Sequence, residues 1–310
     1  MNLTHLRYIV EVERLGSITK AASALYMGQP NLSKAIKEIE REIGVPIFRR
    51  SAQGVVVTEK GRQFLQYAKA ILVQMDKIEN LYLTGEEDRV SFSLIMPRAS
   101  YAAYAFTGVM KKLSDAGDID VKLKETNSMD ALTAVVECEY DMAIIRYAIE
   151  NEEIFRDTIE EKDLAVHSEW QFRKQLIISE KSPLAGLEEI KESDLSGYIE
   201  VLHGDSTLPN TSTVYQRRSA RAKASRKHIS VYERGSQFCI LDQCPGSYMW
   251  VSPLPEHVLR KHGLVQRRCE GIEKEFKDVL ITQKSYRLSG TDRLFMEELE
   301  RVRKELEENR

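Results

Sequence analysis

Residues 17–58 constrain what this chain can fold into more than any other stretch. Ser17-Ile18-Thr19-Lys20-Ala21-Ala22-Ser23-Ala24-Leu25 reads as a short helix. The Ser17 hydroxyl suits its N-cap, where it accepts from an otherwise orphan backbone N–H. Ala21, Ala22 and Ala24 are small, so a second helix can cross closely over them. A tight connection follows at Tyr26-Met27-Gly28. Pro30 then falls in the first turn of the second helix, where its missing N–H costs nothing. On that helix Leu32, Ile36, Ile39 and Ile43 recur at spacings of four, three and four, which puts them on one buried face. The opposite face carries Gln29, Asn31, Ser33, Lys34 and Lys37.

Those polar types suit the major groove of duplex DNA. Gln and Asn pair with adenine edges, and Lys with guanine acceptors or phosphate. Two short helices with a polar, basic second helix therefore have the form of a helix-turn-helix, whose second helix enters the groove by its N-terminal part. An ordinary amphipathic helix with a solvated polar face explains any one of these residues equally well. The flanking segments favour DNA. An apolar helix (Leu3, Leu6, Ile9, Val10) precedes the pair, and a hairpin-like segment follows, with Gly54 as its turn and Val55-Val56-Val57 as a strand. Such a wing sets Arg49 and Arg50 near phosphates, where charge gives affinity without sequence information. Ser17, Thr19 and Pro30, at the two helix starts, complete the expected DNA-facing set.

A net charge of −3 looks unsuited to nucleic acid, but its distribution is not. Residues 1–60 hold nine Lys/Arg against six Asp/Glu, a basic head on an acidic remainder. Binding through such a head weakens steeply with salt, because phosphate contacts release counterions. At 310 residues the chain has the length of about two domains. No run of about 18 apolar residues exists, so no membrane span is expected. The start, Met1 to Arg7, lacks the apolar core of a signal peptide, so a cytoplasmic location is expected.

From Glu59 to about Thr84 the pattern predicts one long helix, capped by Thr58. Phe64, Ala68, Ile71, Met75, Ile78 and Tyr82 alternate at spacings of four and three, the seam of a two-helix coiled coil. A helix lying on its own domain is the alternative. Pairing presents two reading heads to two half-sites, so a homodimer is expected. Gly85-Glu86-Glu87-Asp88-Arg89 reads as a polar hinge. The expected divisions are thus 1–58, 59–89 and 90–310.

Beyond the hinge, strands at Val90–Met96, Val121–Glu125 and Asp141–Ile145 alternate with helices at Ser100–Ala116 and Met129–Cys138. The pattern restarts at Gln175–Ile178, Tyr198–Leu202, Ser230–Tyr232 and Met249–Val251. Strands alternating with helices predict an α/β body with a largely parallel sheet, and the restart suggests two similar subdomains. Ligands of open α/β sheets sit at the C-terminal ends of strands, near helix N-termini. That rule selects Arg98 and Ser100 after the first strand, Asn127 and Ser128 after the second, Arg146 on the third, and His203 in the second subdomain. Ser100 at a helix start suits an anion, held by backbone N–H groups and the helix dipole. Arg98 and Arg146 add charge, so a small anionic metabolite is the expected ligand. A solvated loop or helix cap remains open for each of these residues.

Catalysis finds no support. The chain has no GxSxG, HExxH, P-loop or dinucleotide fingerprint, and its six histidines have no metal-like spacing, so neither metal nor cofactor is expected. His203-Gly204-Asp205-Ser206 contains triad residue types, but neighbours in sequence rarely form a triad. Cys138, Cys239, Cys244 and Cys269 lack CxxC spacing. Small reduced thiols are the simplest account of them, with a redox switch at Cys239 and Cys244 as an alternative. The basic run from Arg217 to His228 reads as a solvated helix face, or as a second anion contact.

Residues 1–85 closely resemble the N-terminal module of the LysR-type transcriptional regulators. The resemblance is carried by Leu3-Thr4-His5-Leu6-Arg7-Tyr8, Gly16-Ser17-Ile18-Thr19-Lys20-Ala21-Ala22, Gln29-Pro30-Asn31-Leu32-Ser33-Lys34, Ile39 to Arg50 and Val57-Thr58-Glu59-Lys60-Gly61. Two positions depart from it. Gly28 stands where the family commonly has Ser, removing a hydroxyl. Lys34 stands where Arg is usual, keeping the charge but losing the bidentate fork. Weaker resemblance covers the rest, at Asp141–Arg146, Ser182-Pro183-Leu184 and Pro245–Pro253. It implies an antiparallel pairing of linker helices, dimers that pair again into homotetramers, and an effector module similar to periplasmic solute-binding proteins. That module has two lobes with a ligand cleft between them. By the same resemblance the chain enters the second lobe near Glu161 and returns near Arg267, so lobe one is about 90–161 with 268–310, and lobe two about 162–267.

Overall fold

The computed structural model describes residues 2–51, 54–83, 90–187, 189–204, 227–271 and 274–308. They form two compact units, Met1–Glu87 with Val136–Glu139, and Asp88–Val135 with Tyr140–Arg310. The expected hinge at Gly85–Arg89, Asp205 and Ser206, and the basic run as far as Arg226 lie outside the described residues.

The first unit contains helices α1 (Leu3–Leu15), α2 (Ile18–Ala24) and α3 (Gln29–Ile43), strands β1 (Phe48–Ser51) and β2 (Gly54–Val57), and the long helix α4 (Glu59–Leu83). Asn2 caps α1, its Oδ1 accepting from His5 N at 2.8 Å, and Ser17 caps α2, its Oγ accepting from Lys20 N at 3.3 Å. Ile9, Val12, Ala21, Leu32, Ile39, Ile47 and Leu65 are almost wholly enclosed, so α4 shares the core of the reading head. The expected boundary at residue 58 is therefore no break in packing.

Thr58 joins wing to helix. Its Oγ1 accepts from Gly61 N at 2.9 Å and donates to the Pro46 carbonyl at 2.6 Å. The ion pairs Arg7–Asp76 and Glu13–Lys69, both at 3.2 Å, show α1 and α4 running antiparallel. The alternative of a helix lying on its own domain holds for the first part of the long helix. Leu65 and Ala68 pack into the head, whereas Tyr67, Ile71 and Ile78 stay exposed along one stripe. The side chain of Tyr82 lies outside the described set.

Two five-stranded sheets organise the second unit. The first has the order β4 (Ile119–Glu125), β3 (Val90–Met96), β5 (Met142–Ala148), β14 (Glu275–Gln283), β6 (Leu164–Arg173). Strands β3, β4 and β5 are parallel, and β14 runs antiparallel to β5 and β6. The second sheet has the order β10 (His228–Val231), β9 (Ile199–His203), β11 (Ser247–Val251), β7 (Gln175–Ser179), β12 (Leu264–Arg267). Short strands β8 (Ile190–Lys191) and β13 (Cys269–Glu270) pair beside it.

Helices α5 (Ser100–Lys112), α6 (Ser128–Val136), α7 (Glu152–Glu161) and α10 (Gly290–Glu308) belong with the first sheet; α8 (Arg234–Gln243) and α9 (Glu256–Arg260) belong with the second. Phe92, Leu94, Tyr101, Ala105, Phe295 and Leu299 form the core between the first sheet and α5 and α10. Ile177, Val201, Leu241 and Met249 centre the second.

One expectation is corrected here. The chain was expected to leave the first lobe near Glu161, but β6 is a strand of the first sheet, paired along its length with β14. Its Trp170 and Phe172 are buried in the first core, so the change of sheet falls at Lys174.

Candidate DNA-reading face and effector site

On α3 the apolar periodicity turns Leu32, Ala35, Ile36 and Ile39 inward. Asn31, Lys34, Lys37 and Arg41 are left exposed on the opposite face, with Pro30 exposed at the helix start. Gly28 occupies the N-cap without a side-chain bond. Gln29 and Ser33, both expected base readers, are tied to each other, Gln29 Nε2 donating to Ser33 Oγ at 2.8 Å. This holds Gln29 in one rotamer and leaves its carbonyl oxygen and second amide hydrogen for another partner. Thr19 is exposed on α2, and Ser17 is half-buried at its cap.

The wing is an antiparallel pair in which Arg49 opposes Val56 and Ser51 opposes Gly54. Arg49 is exposed. Arg50 lies in β1, and its side chain is outside the described set. Gly54, expected at the turn, closes the connection from Ser51 and begins β2, at φ +129°. A Cβ there would stand 2.6 Å from the Gly16 carbonyl oxygen, the same oxygen that accepts from Val55 N at 2.9 Å. The glycine is needed because the wing packs on the end of α1, a contact no local pattern reveals. Glu40 braces the other strand, its Oε1 accepting from Ile47 N at 2.8 Å and Phe48 N at 3.1 Å.

In the second unit the strand-end residues separate by what their side chains do. Asn127 caps α6, its Oδ1 accepting from Met129 N and Asp130 N at 3.0 Å. Ser128 Oγ accepts from Arg146 N at 2.8 Å and donates to the Arg146 carbonyl at 2.7 Å, pinning β5 to the start of α6. Arg146 forms a bidentate pair with wholly buried Asp278, with both N–H···O distances 2.7 Å. Tyr101 donates to the same carboxylate at 2.6 Å, and burial, then the Asp278 charge, raise its phenol pKa. Ser100 opens α5 behind an Ala99 cap. Arg98 donates across to the Tyr232 carbonyl.

A cationic cluster gathers where the two sheets meet. Arg234, opening α8, pairs with Glu125 at the end of β4 at 3.0 Å. Burial raises the Glu125 carboxyl and lowers the Arg234 guanidinium, each opposed by the other. His203 Nδ1 lies 2.8 Å from the amide of buried Gln237. Burial, followed by the charges of Lys174, Arg98, Arg146 and Arg234, pushes its pKa down to about 3, so the ring is neutral at any physiological pH. Lys174 joins this group from the crossing between β6 and β7, its Nζ 4.2 Å from the centre of the Phe276 ring. Of the residues expected at the strand ends, the structure therefore brings Arg98, Arg146 and His203 together. Lys174, Arg234 and Gln237 carry no motif and were not foreseen. The only signal for Lys174 was a lone charge between two strand-like runs.

Two further clefts open in the same unit. One of about 720 Å³ is lined by residues including Gln175, Pro253, His257, Arg267 and Glu305. The other, of about 420 Å³, lies beside Phe238, Cys239, Asp242 and His262. Neither is lined by Arg98, Ser100, Asn127, Ser128, Arg146 or His203. Cys239 and Cys244 are exposed, unbridged thiols. Among the described residues no group of His, Cys, Asp and Glu is placed to hold a metal ion. Nor is any helix among them long and apolar enough to cross a membrane.

Comparison with known proteins places this arrangement. Residues 3–62 match the family described as bacterial regulatory helix-turn-helix protein, lysR family. The chain is 28% identical over 257 residues to the HTH-type transcriptional regulator BudR of Raoultella terrigena, covering 78% of this chain and 85% of BudR. It is 28% identical over 156 residues to the HTH-type transcriptional regulator YcgK of Bacillus subtilis, covering 50% of this chain and 48% of YcgK, so that match spans about half of the relative's length. In fold it is similar to full-length CbnR solved in complex with its target DNA, with a TM-score of 0.58 at 15% identity, covering 97% of this chain and 100% of that one. These relatives are transcriptional regulators, not enzymes. Residues 3–62 thus carry the helix-turn-helix of the lysR family of bacterial regulatory proteins, and the chain as a whole is similar to HTH-type transcriptional regulators.

Proposed function

We propose that this protein regulates transcription from the cytoplasm by holding promoter DNA with α3 and the wing, and that a small anionic effector bound between the two sheets of the second unit changes that grip. The exposed Asn31–Lys34–Lys37 face on a rigidly packed α3 carries the DNA half of the reading. The cluster of Arg98, Lys174, His203 and Arg234 carries the effector half. Asn31 and Gln29 read base edges, while Lys34, Lys37, Arg49 and Arg50 meet phosphate or guanine. Ser17, Thr19, Pro30 and Ser33 line the same approach. Arg98, Ser100 and His203 face the effector. Arg146, Asn127 and Ser128 act behind them by fixing strand and helix ends. The exposed Tyr67–Ile71–Ile78 stripe of α4 supports pairing of two copies, as a homodimer or a pair of dimers.

Footprinting of the purified protein on the DNA beside its own gene tests this proposal, with and without a metabolite panel. A protected site at low salt that shifts with one metabolite is the expected outcome; absence of any protected site would falsify the regulator reading. Lys37→Ala should weaken binding evenly across sequences and lower the salt slope by about one, whereas Asn31→Ala should cost about 1–3 kcal/mol and relax one base position. A thiol-sensing alternative rests on the exposure of Cys239 and Cys244. A footprint that responds to peroxide alone, and no longer in Cys239→Ser, would favour it.

A further inference from the structure

Lys174 is the one residue between a strand of the first sheet, β6, and a strand of the second, β7. It is part-buried, and among the described residues no carboxylate forms an ion pair with it. Among the described residues its short-range partner is the face of Phe276, at 4.2 Å, which attracts a cation without neutralising it. Charged groups act on it from several elements, Arg146 on β5, Lys274 just before β14, Asp278 on β14 and Glu200 on β9, and neutral His203 ends β9 beside them. Asp278 is engaged by Arg146 and Tyr101, so its charge is spent elsewhere. An enclosed ammonium left in that state is costly unless something else supplies the anion.

We propose that Lys174 is the specificity-determining cation of the effector site, and that an oxyanion group of the effector seats on its ammonium at the crossing between the sheets. The assignment rests on the effector reading above and names the residue by which that site recognises its ligand. Neutral His203, on which the charges of Lys174, Arg98 and Arg234 all act, offers a hydrogen bond beside the seat without competing charge. Binding is linked to a proton. Burial, then the charges of Arg146 and Lys274, push the empty-site amine down to about 8, so part of the population is uncharged in mildly alkaline solution. A bound anion restores the ammonium. Affinity therefore falls as pH rises above about 8, by up to tenfold per pH unit until the amine reaches its ordinary range near 10.4.

The test uses the full chain with acetate, succinate, inorganic phosphate and sulfate as probes. Binding is read from the probe-induced rise in unfolding temperature between pH about 7 and about 10. The carboxylate and the phosphate or sulfate arms decide which oxyanion the seat accepts. At least one probe should stabilise the wild type, with an effect that fades through the alkaline range. Lys174→Met should lose at least about tenfold in affinity, one ion-pair-sized increment. Lys174→Arg, which keeps its charge at any attainable pH, should bind with a flat profile. Stabilisation that survives Lys174→Met unchanged, or a wild-type profile flat with pH, overturns the assignment of Lys174 alone. No stabilisation by any probe at high concentration overturns the effector reading itself, and this assignment with it.

Discussion

Asp278→Ala is expected to destabilise the second unit by roughly 3–5 kcal/mol, because it leaves the Arg146 guanidinium buried without its carboxylate. The wild-type carboxylate accepts three short bonds, two from Arg146 and one from Tyr101, and is wholly inaccessible to water. Removing one partner of such a group costs far more than the net worth of the pair, since the other charge stays desolvated. For a domain of this size each kcal/mol moves the midpoint by about 2–4 °C, so the transition should fall by something like 10 °C. Arg146→Met strands the Asp278 carboxylate in the same way and should cost about as much, whereas the double variant Asp278→Ala/Arg146→Met, which removes both charges, should cost much less than the sum of the two. Circular dichroism melts of the full chain check the order; losses that simply add in the double variant would show that the pair is not the determinant.

The second large effect is at Gly61. Replacing glycine with alanine inside a helix ordinarily favours the helix by about 1 kcal/mol. Here the sign should reverse. An added Cβ would stand 2.2 Å from the Ile47 carbonyl oxygen and 2.8 Å from the Ile47 Cα, all backbone atoms with nowhere to move. The same carbonyl accepts from Thr58 N at 2.9 Å, so relief of the clash pulls α4 off the wing and breaks its cap. Overpacking of this kind costs about 1–3 kcal/mol or more. Gly61→Ala should lower DNA affinity at least about tenfold, an effect of 1.4 kcal/mol, while the second unit, with its own core, keeps its melting behaviour. A variant as stable as wild type, with unchanged affinity, would place the wing-to-helix contact elsewhere.

What the sequence made legible follows from where the deciding contacts lie. The face of α3 could be read because Leu32, Ile36 and Ile39 repeat at helical spacing within a dozen residues. The cap at Thr58 and the strands around Leu94, Ile144 and Ile177 are local in the same sense. The reason Gly54 must be glycine was not legible, because the atom it approaches is the carbonyl of Gly16, far away along the chain. The strand-end rule selected Arg98, Arg146 and His203, which the fold gathers in one region, yet it says where a Cα sits and not where a side chain turns. Arg146 turns toward Asp278, 132 residues on, and away from a free ligand role. Ser128 and Asn127 spend their polar atoms on backbone groups that the fold leaves orphaned. Lys174 had no motif at all; its meaning comes from the change of sheet, which resemblance had put near Glu161.

Because α4 grows directly out of the head's core, its exposed stripe stands at a fixed phase to the DNA-reading face. Each residue inserted between Ala68 and Ile71 would turn Ile71 and Ile78 by about 100° and advance them about 1.5 Å. A seven-residue insertion would return them to within about 20° of their starting phase. Evolution can lengthen this helix only in such steps if two copies are to keep their heads in the same mutual orientation. Under the pairing proposed above, the separation of two half-sites would be set as a number of helical turns, a kind of gearing between protein length and operator spacing.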